Sequence, residues 1–156
     1  MDSIRPNFSI LLIFGLTMKN DGLFYSYFVN WRIMRYDMLQ FMNVTKALSD
    51  ENRVRILLAL SEKEELCVCH LIDLLELAPS TVSKHLFLLK NARLIVGRKD
   101  GRWMHYRLNN KQGAPSLVVE ALGWIVKSVS DDPVINADRD RLEKILSVPQ
   151  QASCGR

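Results

Sequence analysis

Cysteine is scarce in this chain, which has only three, at positions 67, 69 and 154. An odd number of cysteines without a Cys-rich framework argues against a secreted, disulfide-stapled fold. Cys67 and Cys69 are one residue apart, a spacing at which a bridge between them would be strained. We therefore expect reduced thiols and a cytoplasmic location.

Long apolar runs are also missing, since no stretch reaches the roughly 20 residues that a membrane-spanning helix needs. The short run from Phe8 to Leu16 is preceded by only Arg5 and is followed by no small-residue cleavage site, so it does not read as a signal peptide. We predict that residues 1–37 are a poorly ordered extension or a mis-assigned start ahead of Met38 or Met42. An amphipathic segment facing a membrane is the lesser alternative, and no membrane partner is predicted for the rest.

An excess of charge is present but small: 21 basic against 17 acidic residues give a net charge of +4. This is compatible with a nucleic-acid partner and proves none, because many basic proteins bind no nucleic acid. The position of the basic residues is more informative than their sum.

The segment ELCVCHL, from Glu65 to Leu71, is the most distinctive one, and helical patterns surround it. Apolar spacing predicts helices over residues 38–48, 51–61, 79–92 and 117–129, and a short helix that follows the cysteine pair and ends near Leu75. A charged amphipathic segment covers residues 137–147. Ser49 and Asp50 offer N-cap oxygens, and Pro79 suits the first position of a helix.

Two helices joined by a turn of about three residues, up to Leu75 and from Pro79, predict a helix-turn-helix. Beyond them, strand-like runs flank Asp100-Gly101, the sequence signal of a tight hairpin. A hairpin with a basic tip after a helix-turn-helix is a wing. The residues predicted to contact DNA are Ser80, Thr81, Ser83, Lys84 and His85 on the second helix, and Arg98, Lys99 and Arg102 on the wing.

The expected fold is therefore mainly α with a small β-hairpin, a winged helix-turn-helix that is dimeric. The helix over 117–129 carries more apolar surface than a small domain covers alone, which favours a homodimer. We predict three parts: 1–37 outside the working domain, 38–130 for DNA binding and dimerisation, and 131–156 as a C-terminal helix and tail.

Four motifs, ALSDENRVRILLAL, ELCVCHL, STVSKHLFLLKNARLI and GRWMHYRL, together resemble the ArsR family of winged-helix repressors, and above all its arsenic-responsive members. The resemblance runs from Met42 to Leu108. It implies a homodimer that binds a palindromic double-stranded operator and leaves it when As(III) or Sb(III) binds Cys67 and Cys69. It also implies an arsenic efflux or reduction operon as target, and no required cofactor.

Thiolates are soft donors that suit thiophilic ions. Positions i and i+2 of a helix point about 200° apart, so both sulfurs reach one ion only at or before the helix start. Arsenic-responsive relatives often carry a third cysteine where this chain has Ile72. Cys154, a small-molecule thiol or two-coordinate binding remain open as alternatives, and His70 could join a Zn(II) or Cd(II) site.

Other functions are compatible with parts of the sequence. The same fold could sense Cd, Pb, Zn or thiol oxidation through these cysteines, or the cysteines could simply pack. A cysteine-dependent enzyme is a distant alternative, because it needs a base and a pocket, so we predict that the chain is not an enzyme. The zinc site that some relatives build on the dimerising helix is excluded, since no histidine follows His105.

Overall fold

The computed structural model describes residues 38–110 and 114–148, and these are the residues discussed below. They form six helices and three strands. The helices are α1 (38–48), α2 (Glu51–Glu62), α3 (Val68–Leu75), α4 (Pro79–Asn91), α5 (Ser116–Val129) and α6 (Pro133–Leu146). The strands are β1 (Leu66–Cys67), β2 (Ile95–Asp100) and β3 (Trp103–Leu108).

Helix α2 lies at the centre of the core. The Asp50 carboxylate caps it by accepting a hydrogen bond of 3.0 Å from the Arg53 backbone N–H, and Glu51 follows at the positive end of the helix dipole. The five consecutive residues from Ile56 to Leu60 are all buried. A helix buried on most of its circumference requires neighbours on several sides, which α4, α5, α6 and β3 provide.

Helices α3 and α4 form the predicted helix-turn-helix. Helix α3 ends at Glu76, whose φ of 53° is left-handed and whose N–H bonds to the Ile72 carbonyl. Pro79 then occupies the first turn of α4, where its missing N–H costs nothing. Val82, Leu86 and Leu89 bury one stripe of α4.

The sheet has the strand order β1-β3-β2 and is antiparallel throughout. Asp100 pairs with Trp103 across the hairpin, and Gly101 supplies the positive φ of 56° that the two-residue turn needs. The predicted wing is thus present. Strand β1 was not predicted, and it attaches the segment containing Cys67 to the inner strand of the wing.

Helix α6 packs against α3 and α2. Its pattern predicted a start near Ala137, but the helix begins at Pro133 because Asp132 caps it by accepting from the Val134 N–H at 2.8 Å. The Arg55 guanidinium on α2 donates two hydrogen bonds to the Asp138 carboxylate, at 2.6 and 2.7 Å. This pairing raises the pKa of Arg55.

The mainly helical winged fold is confirmed. Within 38–110 and 114–148, no helix is long and apolar enough to cross a membrane. Residues 1–37 and Cys154 lie outside the described residues. The predictions made for them, including the division at residue 38, therefore stay predictions.

Candidate metal sensor and nucleic-acid interface

The two neighbouring cysteines lie at a junction between strand and helix. Cys67 ends β1 and is the N-cap of α3, with an extended backbone (φ −69°, ψ 148°), and Cys69 is the second residue of the helix. Both are buried, and their Sγ atoms are 3.2 Å apart. Because Cys67 precedes the first helical residue, the 200° divergence of a regular helix does not apply. The sulfurs lie close together. The expectation of reduced thiols is wrong for Cys69, which is disulfide-bonded in this structure, so both sulfurs can hold one ion only after this bond is reduced.

The donor atoms indicate which ions would suit the pair. Thiolate sulfurs are soft donors, so thiophilic ions such as As(III), Cd(II) and Zn(II) suit them better than hard cations do.

The described residues provide only these two sulfurs for an ion. Within 38–110 and 114–148, no three His, Cys, Asp or Glu side chains are grouped so as to hold a metal. His70 follows the pair and is only 8% exposed, and its Nδ1 has no hydrogen-bond partner among the described residues. Burial lowers the pKa of His70, which favours the neutral imidazole.

A row of paired residues connects the cysteines to the wing. Cys67 pairs with His105 on β3, and His105 pairs with Arg98 on β2. Glu65, two residues before Cys67, accepts hydrogen bonds from Arg98 at 2.7 and 3.3 Å, and its Oε2 is 3.7 Å from His105 Nδ1. The Arg98 guanidinium lowers the pKa of Glu65, so this carboxylate is ionised at neutral pH.

Helix α4 turns one face away from the core. Of the predicted DNA contacts, Ser80, Ser83 and Lys84 are exposed and Thr81 is half-buried. His85 is different, because its side chain is 12% exposed and its Nδ1 is 3.6 Å from Asp50 Oδ1 at the α2 cap. The imidazole thus faces α2 rather than the open side.

The three wing cations are all exposed but have different surroundings. Arg98 is held by Glu65 and by Asp100, at 3.0 Å. Arg102 stacks over the Trp103 ring, with its guanidinium carbon 4.4 Å from the ring centroid. A stacked guanidinium keeps its donors available for phosphate.

Helix α5 carries the apolar surface that the sequence associates with dimerisation. Trp124 is 65% exposed, and Val119 and Val126 are also exposed. Gly123 lies among them, although a Cβ there would meet nothing within 4 Å in the protomer. A mid-helix glycine costs about 1 kcal/mol relative to alanine, and no contact within the described protomer explains its presence here.

Sequence reasoning missed two features of the site. The two-residue strand β1 is too short for an alternation signal, and its partner lies far along the chain. Phe87, exposed on the open face of α4, could have been found from the period of Val82, Leu86 and Leu89, which puts it on the opposite side of the helix.

Comparison with known proteins agrees with the fold. The family profile described as "Bacterial regulatory protein, arsR family" matches residues 50–96. The chain is 41% identical over 107 residues to an arsenic resistance transcriptional regulator of Pseudomonas putida, covering 69% of this chain and 80% of that protein. It is 48% identical over 64 residues to the arsenical resistance operon repressor of Escherichia coli, covering 41% of this chain and 55% of that protein.

A third curated relative carries a different metal in its name. The cadmium resistance transcriptional regulatory protein CadC homolog of Staphylococcus aureus is 44% identical over 68 residues, covering 44% of this chain and 56% of that protein. The chain thus spans just over half the length of two of these three relatives.

Solved structures are similar as well. Reduced HlyU from Vibrio cholerae has a TM-score of 0.51 and 26% identity, covering 63% of this chain and 97% of that one. A homodimeric winged helix-turn-helix DNA-binding domain from Mycobacterium bovis has a TM-score of 0.51 and 25% identity, covering 64% and 85%. The three relatives are named as a repressor or as transcriptional regulators, which agrees with the prediction that the chain is a regulator rather than an enzyme.

Proposed function

Because the chain belongs to the ArsR family of bacterial transcriptional regulators, we propose that it is a repressor released from operator DNA by As(III) or Sb(III) bound at Cys67 and Cys69. The observation that carries the inducer site is the 3.2 Å separation of the two sulfurs at the start of α3. A repressor that acts on DNA is expected in the cytoplasm.

The DNA-binding part of the proposal is supported by α4 and the wing. Ser80, Ser83 and Lys84 form the open face near the N-terminus of α4, the part of a recognition helix that contacts base edges. Lys99 and Arg102 lie at the tip of the hairpin, where cations contact phosphate or enter the minor groove. His85 is the weakest of the proposed contacts, because its imidazole faces Asp50.

Homodimerisation is supported by the exposed apolar residues of α5 and by Gly123. A two-fold dimer presents two copies of α4, so its operator is expected to be a palindrome with half-sites about one helical turn apart or a multiple of it. The Mycobacterium bovis domain, itself homodimeric, is similar in fold.

Bound metalloid can act on DNA affinity through two connections. Cys69 belongs to α3, the first helix of the helix-turn-helix, and Cys67 belongs to the strand that pairs with the wing. An ion bound at this junction is therefore linked to both DNA-contacting elements, to α4 through α3 and to the wing through β1. A coupling of about 1–3 kcal/mol would lower operator affinity by roughly 5- to 150-fold.

The described residues supply two of the three sulfurs that As(III) prefers. The proposed third donor is Cys154 or a small-molecule thiol, because Ile72 occupies the position that could have provided one from α3. No cofactor is needed for DNA binding itself.

The test is an electrophoretic mobility shift on promoter DNA from upstream of the gene, under reducing conditions, with arsenite added. We expect the wild type to leave the DNA and the Cys67→Ser/Cys69→Ser variant to bind DNA normally and ignore arsenite. Release of that variant by arsenite would overturn the sensor assignment, and no DNA binding by the wild type would overturn the repressor.

The Cys154→Ser variant is the matched control, because it removes the one remaining cysteine. A higher arsenite requirement in this variant identifies Cys154 as the third donor. An unchanged requirement assigns the third position to a small-molecule thiol or leaves the ion two-coordinate.

The likeness to a cadmium resistance regulator favours a second inducer class. His70 is its candidate donor, because it follows Cys69 in the chain and imidazole with thiolate suits Zn(II) and Cd(II). The three side chains are not grouped as a metal site in this structure. Cadmium in the same mobility shift separates the two, because release by cadmium that is lost in His70→Leu would favour a borderline metal over arsenite.

A further inference from the structure

Helix α4 exposes a large apolar side chain that neither the core nor the proposed contacts explain. Phe87 is 62% exposed, more than most other large apolar residues of the described part. Its removal from water would be favourable, and nothing within the described protomer provides that burial.

The position of Phe87 on the helix indicates its surroundings in a complex. At 100° per residue, Phe87 lies between Ser83 and Ser80 around the helix, about 140° from Val82 and about 160° from Leu89. The exposed arc thus runs Ser83, Phe87, Ser80, Lys84. An element that meets the three polar residues of this arc also meets the phenyl ring.

The positive charge around the phenyl ring indicates that the binding partner of this face is a polyanion rather than an apolar protein surface. Lys84 and Lys90 flank Phe87 on the exposed side of α4, and both are exposed. Burying this face against an apolar partner would require desolvating these ammonium groups, whereas DNA phosphates on both sides of a groove pair with them.

In the major groove of DNA, apolar side chains recognise one chemical group of the bases. Thymine presents its C5-methyl there, and phenylalanine is one of the side chains that contact it. We propose that Phe87 reads a thymine methyl in each operator half-site and so sets sequence preference at a position that the hydroxyls and Lys84 do not read. This rests on the proposed DNA-binding function.

The size of the effect follows from the methyl group. Burial of one methyl or methylene is worth about a fourfold change in an equilibrium constant. Replacing the contacted thymidine by deoxyuridine, which lacks only the C5-methyl, should therefore weaken binding about fourfold for one half-site and about 16-fold for both.

The experiment first defines the footprint of the purified full-length protein on promoter DNA from upstream of its gene. Duplexes of that footprint are then made with deoxyuridine at each thymidine in turn, and Kd is measured by fluorescence anisotropy. We expect one symmetric pair of positions to weaken binding of the wild type and to have no effect on Phe87→Ala. Circular dichroism checks that the variant folds, as an exposed position allows.

Leu88→Ala is the matched control, because it removes the neighbouring exposed apolar side chain of the same helix. The Kd of this variant should still rise when the contacted thymidine is replaced by deoxyuridine, as it does for the wild type. The proposal is overturned if Phe87→Ala keeps that difference, if Leu88→Ala abolishes it instead, or if Phe87→Ala weakens self-association in sedimentation. A wild type that binds no DNA would overturn the proposed function, and is distinct from these outcomes.

Discussion

The ion pair between Arg55 and Asp138 should account for much of the attachment of α6 to the rest of the fold. The Arg55 and Asp138 side chains are only 17% and 10% exposed, and two hydrogen bonds join them. Asp138→Ala would leave the Arg55 guanidinium charged and half-buried without its partner. Removal of one member of a buried pair costs about 3–5 kcal/mol, and the residual exposure of Arg55 reduces this to about 2–3 kcal/mol.

The measurement is urea unfolding followed by circular dichroism at one fixed protein concentration, since dimerisation makes stability concentration-dependent. A loss of this size should also lower Tm by roughly 10 °C. Glu143→Ala is the matched control, because Glu143 on α6 pairs at the surface with Lys63, the residue that follows α2. It should cost less than about 0.5 kcal/mol.

Equal stabilities of Asp138→Ala and Glu143→Ala would refute the reasoning, because burial is the difference between the two pairs. A second check replaces both charges, in Arg55→Met/Asp138→Leu. That variant should lie within about 1 kcal/mol of the wild type, since two apolar side chains leave no uncompensated charge.

Three further predictions address dimerisation, DNA and pH. A Cβ at position 123 would meet no atom of its own protomer within 4 Å, so Gly123→Leu should keep the circular dichroism spectrum of the wild type. Its dimer dissociation constant in sedimentation should rise about tenfold or more, and an unchanged dimer would mean that α5 does not cross its partner there. Arg102→Ala should shallow the slope of log K against log salt by about 1.8, because the homodimer loses one phosphate contact from each wing. Arg98→Ala should shallow it by less, because Arg98 is already held by Glu65 and Asp100; equal slopes would contradict this. Burial lowers the pKa of His70 in the folded state, so its contribution to stability is present above the unfolded value of about 6.5 and is lost as pH falls below it. In metal-free, reduced protein, the free energy of unfolding should therefore decrease from pH 7.5 to 5.5, and it should decrease less in His70→Leu. Parallel profiles of the two proteins would exclude His70 as a source of this pH dependence.

Local patterns were sufficient for most of the architecture. The Asp50 cap, the Pro79 start and the Asp100-Gly101 turn each follow from short-range backbone chemistry, and each is found where it was expected. Such signals depend on neighbours within a few residues, which a sequence displays directly. The place of Cys67 and Cys69 at the start of α3 also agrees with the helical pattern that follows them, whereas their binding of an ion stays a prediction.

Contacts between distant segments were not accessible in this way. The pairing of Cys67 with His105 and the interaction of Glu65 with Arg98 join residues more than thirty positions apart. Neither leaves a periodic trace in a two-residue strand or a charged loop. The inward orientation of His85 likewise depends on how α4 packs beside the α2 cap.

The pairing of β1 with the wing has a consequence for the arsenite concentration at which this regulator would respond. If occupation of the cysteines weakens operator binding through the shared sheet, then reciprocity requires the operator to weaken metalloid binding by the same factor. DNA is then a competitor of arsenite, and dimers off the operator capture the ion first. The surplus of repressor over operator sites would therefore act as a buffer that sets the arsenite concentration at which transcription begins.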